Sequence, residues 1–292
     1  MSLSSGTLAA LAAAGLDAAH VEDLARRTVE EDLAGGVDVT SVATVPAALR
    51  GSAAFVPRAA GVVAGIPVAM AVLEVVGPVT LTPTPDGRRV AAGETVLTAV
   101  GPVRTLLTAE RSALNLLCHL SGVATLTRRW VDAVEGTGAR IRDTRKTMPG
   151  LRALEKYAVR AGGGQNHRMG LSDAALVKDN HVVAAGGVGP AFAAVRAAFP
   201  GVPVEVECDT VQQVRDVVAA GADLVLLDNM SLADLRASAE LCRAAGVLTE
   251  ASGGLSLEVA YAVAATGVDF LAVGALTHSA PVLDLGVDLL CS

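Results

Sequence analysis

The sequence predicts an α/β protein whose C-terminal half is a parallel sheet rolled into a barrel, and three observations carry that prediction. From Ala139 onward, short apolar runs alternate with helical patterns, as parallel strands joined by crossover helices do. No G-x-G-x-x-G follows a strand in this half, so a dinucleotide-binding sheet lacks its fingerprint. Polar residues stand at the C-terminal end of nearly every predicted strand, where barrel enzymes carry their chemistry.

Composition sets the outer limits. The chain has 292 residues, enough to bury a sizeable core without disulfides or metal as staples. Apolar residues make up 52% but aromatics only 2%, so Ala, Val and Leu must fill that core, as in buried parallel sheets. A net charge of −7 argues against nucleic acid as a partner. Lysine is confined to Lys146, Lys156 and Lys178, so any basic site is local. Cys118, Cys208, Cys242 and Cys291 form no C-x-x-C pair, which speaks against disulfides and structural zinc and for a cytoplasmic setting. The N-terminal segment lacks a basic start and carries Asp17, Glu22 and Asp23, unlike a secretory signal. The most apolar stretch, 61–79, is interrupted by Gly65, Pro67 and Glu74 and falls short of the roughly 20 residues a membrane span needs. It reads as buried strand and helix, with no membrane role.

Taken in order, 17–33 has apolar residues at Val21, Leu24, Ala25 and Val29, the helical period, with Asp17 placed to cap the helix and Gly35-Gly36 to end it. The segment 50–103 changes to short strands punctuated by Pro57, Gly61, Pro67, Gly77-Pro78 and Pro83 through Gly87, a small α+β unit with an antiparallel sheet. Residues 106–134 read as one or two helices interrupted near Ser121-Gly122. The barrel strands follow as the runs 139–142, 174–177, 202–206, 223–227, 246–249 and 268–273, with helices between them at 212–220, 232–245 and 257–265.

The strand ends carry the chemistry. Asp143-Thr144-Arg145-Lys146 leaves the first barrel strand, and Pro149-Gly150 turns the chain into a helix. Arginine offers a planar fork that matches carboxylate or phosphate, and lysine a point charge. Gly162-Gly163-Gly164 then lets backbone pass close to a ligand, and His167 and Arg168 add two donors for an anion. Lys178 follows an apolar run and emerges at the barrel mouth. In a protein of net charge −7, the collection of Arg145, Lys146, His167, Arg168 and Lys178 implies a substrate with more than one negative group. Glu205 and Glu207 share a strand face by the period of two, and Glu207 with Asp228 at the next strand end suits a hydrated Mg²⁺ or ribose hydroxyls. The histidines show no zinc-ligand spacing. Glu250-Ala251-Ser252-Gly253-Gly254 runs from strand to helix and Gly274 follows the next strand, a place where backbone N–H groups bind phosphate. These residues define a barrel enzyme for a multi-anionic, phosphate-bearing substrate. A Schiff-base aldolase on Lys146 or Lys178, a decarboxylase, or a non-catalytic anion binder shares the same inventory.

The ordered motifs go further. TRKTMPG at 144–150, LRALEKYAV at 151–159, GGGQNHRMGL at 162–171, KDNH at 178–181, EVE at 205–207, LLDNM at 226–230, EASGG at 250–254 and GALTHS at 274–279 resemble the quinolinate phosphoribosyltransferase family. ERSALN at 110–115 and SGVAT at 121–125 extend the resemblance over essentially the whole chain. It implies the type II phosphoribosyltransferase fold: an N-terminal α/β sandwich over 1–114, rejoined by 280–292, and an open, incomplete α/β barrel over 115–279. It implies transfer of phosphoribosyl from 5-phosphoribosyl-1-pyrophosphate (PRPP) to quinolinate with Mg²⁺, giving nicotinate mononucleotide, CO₂ and pyrophosphate in de novo NAD biosynthesis. It also implies a homodimer whose site takes Arg111 from the neighbouring subunit.

On that resemblance Arg111, Arg145, His167 and Arg168 hold the two carboxylates, with Thr144 in the substrate-binding set. Lys146 and Lys178 lie between the two substrates; Glu207 and Asp228 engage ribose hydroxyls and, through water, Mg²⁺. Ser252, Gly253, Gly254 and Gly274 take the 5′-phosphate. Lys146, Lys178, Glu207 and Asp228 form the expected catalytic set. Met148 and Cys208 fill variable positions, His20 and His119 are structural, and Lys156 is ordinary helix surface. A molybdenum-transport-associated homologue of the same fold is the nearest alternative, and the complete set Arg145, Lys146, His167, Arg168 and Lys178 argues for quinolinate.

Overall fold

Helical spacing and caps at the start of the chain become α1 (Ser5–Ala14) and α2 (Ala18–Leu33) in the computed structural model, which describes residues 3–291. Asp17 caps α2: its Oδ1 accepts the N–H of His20 at 2.7 Å, satisfying one donor that a helix start leaves open. Val21, Ala25 and Val29 form the buried face, and the helix stops where Ala34 turns left-handed before Gly35. Next come α3 (Val39–Thr44), β1 (Arg50–Pro57), β2 (Gly61–Val62), α4 (Ile66–Val76), β3 (Thr80–Pro83), β4 (Arg89–Val90), β5 (Leu97–Pro102) and α5 (Val103–Ala133). The apolar stretch after Gly61 is strand and helix, and α4 is buried from Ile66 to Leu73.

Helix α5 corrects one expectation, because it runs unbroken through Ser121 and Gly122. Both residues are small because another segment approaches closely. Ser121 Oγ accepts the N–H of Ala64 and donates to its carbonyl, each at 3.1 Å. A Cβ on Gly122 would lie 2.2 Å from the Pro281 carbonyl oxygen. Small residues within a helical pattern marked a contact here, not a stop.

The barrel half follows as β6 (Arg140–Arg142), α6 (Arg152–Ala161), β7 (Ala175–Val177), α7 (Asp179–Ala185), α8 (Val188–Ala198), β8 (Val204–Cys208), α9 (Val211–Ala219), β9 (Leu224–Asp228), α10 (Leu232–Ala244), β10 (Leu248–Ser252), α11 (Leu257–Ala264), β11 (Phe270–Ala272) and α12 (Ala275–His278), with β12 (Leu285–Cys291) at the end. Each of the six apolar runs read from the sequence is a strand. They form one parallel sheet in the order β6-β11-β10-β9-β8-β7. β6 and β7 do not pair, so the barrel is open along that seam, where Gln165 makes a single parallel bridge to Arg142. Ile141, Val206, Val225, Leu227, Ala251 and Leu271 are buried in the strands. The register sets Ser252 beside Asp228, bringing two strand ends level.

A second sheet is antiparallel in the order β12-β1-β5-β3, so β12 pairs with β1 of the N-terminal segment, and β2 and β4 form a two-stranded ribbon. The chain divides into two units, one holding the chain up to Leu126, Ala153–Gly163 and the chain from Ser279, the other Thr127–Arg152 and Gly164–His278. Position 114, the expected boundary, lies inside α5, and α6 from Ala153 onward falls in the first unit. This also corrects the expectation for Lys156. It is fully buried, because α6 buries every residue from Leu154 to Val159. Glu155 Oε1 meets His119 Nε2 at 2.8 Å, and the Tyr157 hydroxyl donates to Asp86 Oδ2 at 2.5 Å. Asp86 also accepts the N–H groups of Gly65 and Ile66 at the start of α4, and burial pushes its pKa up to about 6. Among the described residues no single helix is long and apolar enough to cross a membrane.

Candidate active site

At the C-terminal ends of the barrel strands lies a cavity of about 790 Å³, a size that suits small-molecule ligands. Its wall includes Thr144, Arg145, Lys146, His167, Arg168, Lys178, Glu207, Asp228, Ser252, Gly253, Gly254 and Gly274, residues singled out from six strand ends and one loop. Leu176, Leu226, Leu255, Ala272, Val273 and Ala275 supply apolar wall, and Asn229, Glu250 and His278 complete it. Arg111 does not line the cavity; it is exposed on α5 in the other unit.

The basic side is built on two loops. Thr144 Oγ1 accepts the N–H of Lys146 at 3.0 Å, and Thr277 Oγ1 donates to the Lys146 carbonyl at 2.7 Å. A Cβ on Gly274 would come within 2.8 Å of Lys146 Cδ, so a larger residue there would displace the lysine side chain. Arg145 Nε is buried and makes no hydrogen bond among the described residues. Arg168 donates through Nη1 to the Ala174 carbonyl at 2.9 Å. Burial, and next the Arg145 charge, lower the pKa of Arg168. Two mutually repelling guanidinium groups at one cavity are a standing demand for an anion.

His167 is held from two sides. Its ring lines the cavity, yet both nitrogens face protein: Nε2 lies 2.7 Å from Glu205 Oε2, and Nδ1 accepts the N–H of Arg168 at 2.7 Å. Burial disfavours charge on this ring, but the Glu205 hydrogen bond and the Glu250 and Glu205 charges outweigh it and raise the pKa. Glu250 sits 3.4 Å from His167 Nε2 through one oxygen and 2.8 Å from Arg142 Nη1 through the other. Burial, then the Glu205 charge, push Glu250 up to about 7. Arg142 lies over the Phe270 ring at 3.7 Å. This buried cluster beneath the cavity holds His167 rigidly, and sequence reasoning did not assemble it. The shared face of Glu205 and Glu207 was legible, with Glu207 at the strand end, but not that the buried Glu205 meets His167.

The acidic side faces the bases. Lys178 Nζ lies 2.6 Å from Glu207 Oε2, and Asn229 Nδ2 donates to Asp228 Oδ2 at 2.7 Å. Glu207 Oε1 and Asp228 Oδ1 are left without a hydrogen bond among the described residues. Two carboxylates with one open oxygen each, on adjacent strand ends, are the donors that Mg²⁺ with its retained waters prefers. Beyond them, Ser252, Gly253 and Gly254 close the mouth, with Gly253 at φ 85° and Gly254 at φ 59°. A Cβ at Gly253 would lie 2.3 Å from Asn229 Oδ1, so only glycine fits there. Cys208, beside Glu207, is buried, and that burial pushes its thiol up to about 12, away from any nucleophilic role.

Comparison with known proteins agrees with this geometry. The family model described as "Quinolinate phosphoribosyl transferase, C-terminal domain" matches residues 123–288, and its N-terminal counterpart matches residues 38–121. The nicotinate-nucleotide pyrophosphorylase (carboxylating) of Mycobacterium leprae (strain TN) is 54% identical over 273 residues, covering 91% of this chain and 96% of its own. A probable enzyme of the same name from Bacillus subtilis is 47% identical over 208 residues, 71% of this chain and 72% of its own. The crystal structure of NadC from Streptococcus pyogenes matches with a TM-score of 0.91 at 37% identity, over 95% of this chain and 99% of that one.

Proposed function

The chain belongs to the quinolinate phosphoribosyltransferase family, and from that premise we propose how its barrel mouth joins quinolinate to PRPP with loss of CO₂. The observation that carries the reading is the convergence of Arg145, Arg168, Lys146 and Lys178 on one cavity with Glu207, Asp228 and a glycine cradle. A dicarboxylate and a phosphorylated sugar are the ligands this division of charge fits.

Arg145 and Arg168 grip the two carboxylates of quinolinate, and their mutual repulsion is relieved when the dianion enters. His167 is assigned to holding Arg168 in place, since both its ring nitrogens are already engaged. Lys146 and Lys178 stand between the two substrates and attract the pyrophosphate. Thr144 positions Lys146 through its backbone. Ser252, Gly253, Gly254 and Gly274 receive the 5′-phosphate on backbone N–H groups, while Glu207 and Asp228 hold the ribose hydroxyls. Glu207 and Asp228 would also hold Mg²⁺ through water, which when bound offsets the charge of the departing pyrophosphate.

The pyridine nitrogen attacks the anomeric carbon as pyrophosphate leaves, through an electron-poor state that the carboxylates of Glu207 and Asp228 stabilise. Preorganised charge and orientation carry this step. The nitrogen, now quaternary, stabilises the carbanion left when the adjacent carboxylate departs as CO₂, and a proton completes nicotinate mononucleotide.

The active unit is a homodimer in which the partner subunit's Arg111 completes the carboxylate site; its exposure on α5 supports this reading. Free cysteines at Cys118, Cys208, Cys242 and Cys291 fit a cytoplasmic enzyme. Neither nucleic acid nor membrane is a partner, in keeping with the net charge of −7. The test is one assay containing quinolinate, PRPP and Mg²⁺, with nicotinate as competing acceptor. Equimolar CO₂ and pyrophosphate from quinolinate are expected; no product, or equal use of nicotinate, overturns the reading.

A further inference from the structure

The seam between β6 and β7 is closed by a carboxylate. Where a full barrel would continue its ladder, the chain after α6 makes two backbone bonds to β6: Gln165 N–H to the Ile141 carbonyl at 2.8 Å, and Asp143 N–H to the Gln165 carbonyl at 3.2 Å. Asp143, fully buried, then adds two more. Its Oδ1 accepts the N–H of His167 at 2.8 Å, and its Oδ2 accepts Asn166 Nδ2 at 2.5 Å. On the far side of the seam, Arg168 Nη1 is tied to the Ala174 carbonyl just before β7. Asp143 is not in the cavity wall. Two residues after it comes Arg145, and the backbone it grips leads directly to Arg168. One carboxylate therefore sets the separation between the backbone that carries Arg145 and the backbone that carries Arg168.

Separation matters because of the ligand. Quinolinate bears its two carboxylates on adjacent atoms of a rigid ring, so it cannot adjust to a misplaced fork as a flexible substrate would. A displacement of about 1 Å in a positioned group is enough to cost orders of magnitude in rate. We infer that Asp143 is a positioning residue for dicarboxylate recognition, touching no substrate atom and setting the spacing of Arg145 and Arg168. This rests on the reading of the cavity as the quinolinate site. The ribose and phosphate contacts at Asp228 and Ser252 stand on β9 and β10, which pair with neither β6 nor β7, so PRPP binding depends less on the seam.

The pair Asp143–Asn166 allows a swap test. Asn166→Asp alone sets two carboxylates against each other; adding Asp143→Asn restores a donor and an acceptor in reversed sense, and the new amide oxygen still accepts the His167 N–H. The expected result for N166D is a rise in quinolinate KM of about tenfold or more, matched by weaker calorimetric binding of quinolinate alone. The PRPP KM should stay within about threefold of wild type, and D143N/N166D should recover most of the quinolinate affinity. If N166D does not fold, Asn166→Ala, which removes one donor, should show the same split at smaller size. A quinolinate KM within twofold of wild type in the folded single variants, a parallel rise in both KM values, or no recovery in the swap overturns the inference. Wild-type protein that releases no CO₂ from quinolinate would instead overturn the functional reading beneath it.

Discussion

Gly253→Ala should separate PRPP binding from quinolinate binding. The residue sits at φ 85°, and an added Cβ would stand 2.3 Å from Asn229 Oδ1 and 2.4 Å from its Cγ. Neither atom is the loose end of a long side chain, so the whole amide must swing away. Asn229 is itself left-handed at φ 51°, with its N–H bonded to the Ser252 carbonyl at 3.0 Å, so its backbone has little freedom to follow. What yields is the bond from Asn229 Nδ2 to Asp228 Oδ2. A hydrogen bond to a charged group is worth about 1.5–3 kcal/mol, which converts to a roughly 10- to 100-fold fall in kcat/KM for PRPP if Asp228 holds the ribose. Left-handed strain on alanine, about 1–2 kcal/mol, falls on stability instead. Gly254→Ala is the internal control: at φ 59° it carries the strain, but its Cβ would rest 3.7 Å from Asn229 Oδ1 and displace nothing. Pyrophosphate release at saturating quinolinate, with PRPP varied, reads the first effect, and thermal unfolding the second. A G253A enzyme with PRPP kinetics within twofold of wild type, or a G254A enzyme more impaired than G253A, would refute the coupling of the glycine cradle to Asp228.

Arg111→Ala and Lys178→Ala should each be inactive, while an equal mixture of reassorted dimers recovers about a quarter of wild-type activity, since half the dimers then hold one intact site. No recovery in dimers proven mixed would remove the shared site. Asp86→Asn should flatten the pH dependence of stability: with the native pKa raised to about 6 from an ordinary 3.8, the contribution of Asp86 is full below about pH 3.8 and lost as pH rises through 6. Urea unfolding between about pH 4 and 7 should show the wild-type advantage over D86N shrinking and then levelling, and a constant difference would contradict it. Gly122→Ala should cost about 1–3 kcal/mol in urea, because the atom its Cβ meets at 2.2 Å is the Pro281 backbone oxygen; an unchanged midpoint would show that the tail yields freely.

The barrel was legible because its signals are local. Each apolar run ends where the strand emerges, so Lys178, Glu207, Asp228 and Ser252 could be assigned to one face before any strand was paired. The partners of the deeper carboxylate were not legible. Glu205 and Glu207 differ by one step of the same period, yet Lys178 meets one and His167 the other. That Glu205 meets His167 is settled by how β8 and the loop before β7 come together, a long-range property that no window of sequence contains. Lys156 failed for a related reason. A helix with one charged residue per turn reads as half exposed, and α6 is instead covered along the stretch that holds Glu155, Lys156 and Tyr157.

Asp143 shows what a sharper reading could have used. It is the lone acid before Thr144, Arg145 and Lys146 at a strand end. There a carboxylate would weaken an anion site unless its charge were already taken up. Full burial, with both oxygens accepting hydrogen bonds, is that resolution. The same logic applies to Glu205 and Glu250, both buried, whose charges are met by His167 and Arg142. An acid amid the bases of an anion site is therefore better read as the part that aims them than as a competitor for the ligand. In this barrel Arg145, Arg168, Lys146 and Lys178 line the mouth, while the buried carboxylates of Asp143 and Glu205 hold the backbone and ring beside them.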